Sequence, residues 1–124
     1  MFVRGDILKA THRAIKEGKH FIVYFDGNSD DDFIGGMITH SELYGNVKME
    51  IDHFEKVDGN GINYNVTYDD SYLVKAKLFK PNIWGPFTKV GCLTDDGIFF
   101  LSNTIEELET ESFESYLLRN NLIK

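Results

Sequence analysis

Two apolar runs, His20–Phe25 (HFIVYF) and Phe33–Thr39 (FIGGMIT), flank a seven-residue acidic stretch, Asp26–Asp32 (DGNSDDD). Apolar runs of this length, bounded by turn residues, read as strands, and a link this short folds them back on each other as a hairpin. The first run has no charged residue, so it predicts a buried central strand. The second carries Gly35-Gly36, which predicts a bulge or a close backbone approach. A chain organised around this hairpin is mainly β.

The remaining residues agree. Ten Phe and six Tyr suit half-buried strands better than helices. Val47–Val57 alternates apolar and polar residues, predicting a one-sided strand, and Asp58-Gly59-Asn60-Gly61 predicts a hairpin returning through Ile62–Tyr68. Ser71–Lys80 reads as a further strand, Pro81–Pro86 as a loop around Trp84, and Val90–Leu93 as a short strand. Helix punctuation lies mainly at the end. Thr94 caps a helix through Gly97–Asn103, Thr104 to Glu107 has a capping-box pattern, and Glu111-Ser112 opens a last helix through Leu122. Thr11–Gly18 reads as a short helical turn or an ordered loop. Strands first and helices last predict one domain over residues 1–124, a small antiparallel barrel or curled sheet with helices on one side.

Several classes are disfavoured. Met1–Leu8 lacks the apolar core of a signal peptide, and no apolar run reaches the roughly 18 residues of a membrane helix. A single cysteine, Cys92, excludes an internal disulfide and reads as a small buried hydrophobe, so a cytoplasmic protein without membrane contact is expected, its Asn65-Val66-Thr67 sequon unglycosylated. The net charge of −7 is unevenly spread: residues 1–20 carry +3, 21–70 carry −9, 71–90 carry +4 and 91–124 carry −5. If the first and third segments meet, an acidic protein gains one basic face.

Three groups of residues could carry chemistry. The acidic turn opens like a calcium loop, Asp26-x-Asn28-x-Asp30, but Asp31 stands at its turn-glycine position and Met37 at its bidentate position; it reads as a solvated turn, and no metal or cofactor is expected. His20 and His40 close the hairpin. With Phe25 opposite Phe33, His20 faces Ile38, and the two histidines share a face about 7–8 Å apart while Thr39 points to the other face with Phe21 and Met37. Such a pair could act as base and acid in a transphosphorylation begun by a ribose 2′-hydroxyl, or could simply be two hydrogen-bonded rim histidines. A register slip of one residue, or a bulge, would exchange the faces. His12 belongs to a basic loop with Arg13, and His53 reads as a satisfied core or rim histidine. Finally Lys75, Lys77, Lys80 and Lys89, interleaved with Phe79, Trp84 and Phe87, form either a single-strand nucleic-acid track or a solvated strand face.

Gly5-Asp6-Ile7, the HFIVYF strand, Ile38-Thr39-His40-Ser41, Ser71-Tyr72-Leu73-Val74 and the Lys89–Asp95 stretch (KVGCLTD) follow one another in an order that resembles the MazF/PemK-like toxins. The likeness runs through most of residues 4–105. It implies an SH3-like barrel with the C-terminal helices packed on it, a homodimer, silencing by an antitoxin, and metal-independent cleavage of single-stranded RNA. The family places an Arg before the second strand and a Thr or Ser at the end of the third. The first position falls at or beside His20, in Lys19-His20-Phe21, and the second at Thr39, and His20-Phe21 stands where the family has Arg-Pro. The expected roles are then His20 and His40 as base and acid, Thr39 orienting the phosphate, and Arg13, Lys19, Lys75, Lys77 and Lys80 as phosphate contacts. The alternative is a non-catalytic protein-interaction module on the same barrel.

Overall fold

The structure, a computed structural model, describes residues 2–10, 20–27, 29, 33–40, 42, 45–64, 70–80 and 87–120, apart from the side chains of His20 and Lys80. The Thr11–Gly18 segment with His12 and Arg13, Lys19, most of the acidic turn, the Asn65-Val66-Thr67 sequon and the Pro81–Pro86 loop lie outside the described residues.

The two apolar runs form strands β2 (His20–Gly27) and β3 (Phe33–Thr39), antiparallel to each other. On the far side of β2 lies β1 (Asp6–Ala10), and beyond it a strand we label β7 (Thr88–Cys92). The outer edge of β3 is shared. One short strand, β5 (Tyr72–Leu73), takes its end at Ile38 and Thr39, while β6 (Lys77–Lys80) takes its start at Phe33 to Gly35. A two-residue β4 (Val47–Lys48) flanks β5, and β8 (Thr110–Glu111) runs parallel to β6. Among the described residues this is a mainly antiparallel sheet of eight strands that does not close.

Because β2 is apolar on both sides, each side needs its own cover. Ile22 and Tyr24 pack with Leu8, Met37 and the Phe113, Tyr116 and Leu117 side chains of α2 (Phe113–Arg119). Val23 and Phe25 pack with Ile7, Ile38 and the Leu101 and Ile105 side chains of α1 (Asp95–Ile105). The helices therefore stand on opposite faces of the sheet, not on one side as the order of elements predicts. No helix among the described residues is long and apolar enough to cross a membrane.

Three expected strands are cut short by local hydrogen bonding. Of Val47–Val57 only Val47–Lys48 is a strand. A 3-10 turn at Ile51–His53 follows, held by a reciprocal cap in which Glu50 N–H donates to His53 Nδ1 at 3.0 Å and the Glu50 side chain accepts from His53 N–H. The expected return strand Ile62–Tyr68 is, among the described residues, a single bridge between Val57 and Asn63, closed by Asp58 Oδ1 accepting from Asn60 and Ile62. Ser71–Lys80 breaks where Ala76 N–H turns back to the Val74 carbonyl at 2.8 Å, which bends the chain between β5 and β6. Thr104 starts no second helix: its hydroxyl donates to the Phe100 carbonyl inside α1.

Candidate active site at the sheet rim

The hairpin register decides which residues meet. Phe21 faces Ile38, Ile22 faces Met37 and Tyr24 faces Gly35, but Asp26 then faces Ile34, so Phe25 is an extra residue in β2. The bulge thus sits in the strand opposite the two glycines. Gly35 serves instead for close approach, since a Cβ there would lie 2.6 Å from the Val23 carbonyl oxygen. With one residue inserted, the pairing of Phe25 with Phe33 and of His20 with Ile38 is lost, and His20 falls opposite Thr39.

This register overturns the expected pairing of His20 with Ile38, which is taken by Phe21. His20 pairs with Ala10 on one side, and Thr39 pairs with Tyr72, which in turn pairs with Lys48. Thr39, Tyr72 and Lys48 thus form one row across three strands, and the hairpin register, continued one residue past Phe21 and Ile38, leads from it to the Ala10–His20 pair. Cross-strand partners share a face, with Cβ atoms about 4.5–5.5 Å apart. Tyr72 is half-buried and Lys48 exposed. Sequence reasoning missed both because each owes its place to a two-residue strand. The alternation that singles out a strand needs four or more residues to show.

His40 follows β3 by one residue, exposed at the tip of the rim, with Nδ1 3.2 Å from the carbonyl oxygen of Asp70. A carbonyl can only accept, so Nδ1 carries the proton of the neutral ring and Nε2 presents the lone pair. Asp70 holds a left-handed φ of +55°, the one positive-φ non-glycine residue among those described. That conformation is unfavourable for a residue with a Cβ.

The basic residues are dispersed. Lys75 is exposed in the bend after β5. The Lys77 ammonium donates to the Glu106 carbonyl at 3.0 Å, at the C-terminal end of α1, so it does not join the rim row. Arg13, Lys19 and the side chains of His20 and Lys80 lie outside the described residues. A groove of about 680 Å³ opens between β8 and α2, but its Arg119 is committed to Glu111 by three hydrogen bonds of 2.8–3.0 Å. Burial, reinforced by the negative charge of Asp6, pushes the half-buried Cys92 thiol up, which is the opposite of an activated nucleophile. His53 stacks on Phe100 with ring centroids 4.6 Å apart, a histidine with its contacts made. Among the described residues no three His, Cys, Asp or Glu side chains gather to hold a metal ion.

No protein-family model, no curated protein and no solved structure matches the chain.

Proposed function

We propose that the protein is a metal-independent endoribonuclease of the MazF/PemK kind, cleaving single-stranded RNA at the rim where β2 begins and β3 ends. The observation that carries this is the row Thr39, Tyr72 and Lys48, which the hairpin register continues toward His20 at the start of β2, with His40 next in the chain and its tautomer fixed by the Asp70 carbonyl. His40 Nε2 takes the proton of a ribose 2′-hydroxyl, whose oxygen attacks the adjacent phosphorus. The P–O5′ bond breaks as His20 donates a proton to the leaving oxygen, giving a 2′,3′-cyclic phosphate and a 5′-hydroxyl. Thr39 orients the phosphate, while Lys48 offsets the charge of the pentacoordinate phosphorus. Lysine and two histidines replace the permanent cation of an arginine. On this reading the curled sheet, with β3 passing one edge to two successive strands, is a partly open SH3-like barrel. The protein acts in the cytoplasm as a homodimer held silent by an antitoxin.

The reading is tested with single-stranded RNA in excess chelator. Cleavage leaving 2′,3′-cyclic phosphate ends is expected, slowed about 10²–10⁴-fold by His40→Ala and by His20→Ala. RNA left intact between about pH 5 and 9 would refute it. A second reading draws on Val57 and Ile62, apolar and exposed on either side of the Asp58–Gly61 turn. An interaction module using that tip would leave RNA intact, tolerate both histidine substitutions, and lose its partner on Ile62→Asp.

A further inference from the structure

The other end of the same hairpin carries a second arrangement, on the opposite face of the sheet. There α1 covers the sheet as far as Lys77, whose ammonium is bound to the Glu106 carbonyl. Phe79, two residues further along β6 on the same face, emerges beyond the helix end and is 43% exposed. It pairs with Ile34, and Ile34 pairs with Asp26, so Phe79, Ile34 and Asp26 form a row across three strands. Beside this row the ring of Phe25 is covered by two cations: the Arg4 guanidinium lies 4.5 Å from its centroid and the Lys77 ammonium 5.6 Å. Arg4 is held in place by its Nε–H, which donates to the Phe25 carbonyl at 2.7 Å. Its terminal nitrogens have no hydrogen-bond partner among the described residues. Here one cation from each of the two positively charged segments, Arg4 and Lys77, meets the other over one ring.

An exposed aromatic ring on a sheet face, with two cations gathered over Phe25 two strands away, is the chemistry that stacks an unpaired base and grips its phosphates. Asp26 adds a constraint. A carboxylate accepts from a base edge that presents donors, and guanine offers two adjacent ones, N1–H and the N2 amino group. Uracil offers a single N3–H between two repelling carbonyl oxygens. We infer that Phe79, Arg4, Lys77 and Asp26 form a single-stranded RNA subsite that stacks a base on Phe79 and selects guanine. The subsite lies about 17 Å along β3 from the rim row, five strand residues away. The inference rests on the RNA reading for its ligand but not on the cleavage chemistry.

The test uses fluorescence anisotropy of the full chain with two labelled 2′-O-methyl RNA hexamers, one all uridine and one with a single guanosine. Methylation removes the attacking hydroxyl, so binding is read without cleavage. The guanosine hexamer is expected to bind about tenfold tighter, with Phe79→Ala weakening it about tenfold and Phe79→Tyr restoring it. Asp26→Asn should erase the preference for guanosine. Arg4→Ala with Lys77→Ala should reduce the slope of log affinity against log salt by about 1.4. Absence of binding by the unaltered chain, equal affinity of the Phe79→Ala variant, or a guanosine preference that survives Asp26→Asn overturns the inference. A protein that binds in this way but never cuts ordinary RNA refutes the ribonuclease alone. One that cuts RNA without regard to Phe79 refutes the subsite alone.

Discussion

Asp6 is the only charged side chain buried among the described residues, 3% exposed. Its Oδ2 accepts from the Val3 N–H at 3.0 Å, and Oδ1 faces the Lys89 ammonium at 3.1 Å. Burial works against the Lys89 charge, but the hydrogen bond and the negative charge of Asp6 outweigh it and raise the lysine above its ordinary 10.5. Nearby Tyr64 is raised above its ordinary 10.0, chiefly by burial, with Lys89 opposing and Cys92, Asp58 and Asp6 adding. Both groups have folded values above their unfolded ones. Their stabilisation is therefore complete below about pH 10 and is lost as pH rises through the folded values. Melting temperatures should hold to about pH 9 and fall above about pH 10, and the Tyr64→Phe, Lys89→Met double variant should fall less steeply. Identical alkaline slopes for the two proteins would show that these groups do not carry the effect.

At the scale of elements, α1 and the 3-10 turn meet at a close junction. The Thr94 side chain accepts from the Gly97 N–H at 3.1 Å and donates to the Asp52 carbonyl at 2.8 Å, so one residue caps the helix and ties it to the turn. A Cβ on Gly97 would collide with the His53 carbonyl. Gly97→Ala should therefore destabilise by about 3 kcal/mol despite the better helix propensity of alanine, and Thr94→Ala by about 1 kcal/mol, both read as denaturation midpoints. A neutral Gly97→Ala would mean that the turn yields freely. Much of this was legible in the sequence: both hairpin strands, the Thr94 cap, and Ser112, which caps α2 by accepting from the Ser115 N–H. The bulge was legible as an event but not as a location. Gly35-Gly36 suggest it in β3, whereas the extra residue is Phe25, whose apolar side chain leaves no local signal. The site depended on that detail, because a one-residue shift exchanges the faces. The alternation of Val47–Val57 was misleading because Glu50 and His53 satisfy each other's backbone locally, which period-two reasoning does not register.

At the scale of the molecule, two separate clusters of side chains share the central strands of one sheet. Amides of β2 and β3 should exchange hydrogen slowest, because opening them uncovers both clusters at once. Those of residues 57–63, joined by one bridge among the described residues and apolar only at their exposed tip, should exchange fastest. Mass-spectrometric exchange would decide this, and comparable protection in the two segments would contradict it. Two-sided cover of β2 also sets its tolerance of change. A strand with one wet face accepts polar substitutions at every second position, giving a period of two in what survives selection. Ile22, Val23, Tyr24 and Phe25 are all inside. Their stretch should reject polar residues without alternation, so the hairpin that organises the fold is also where the chain has least freedom to vary.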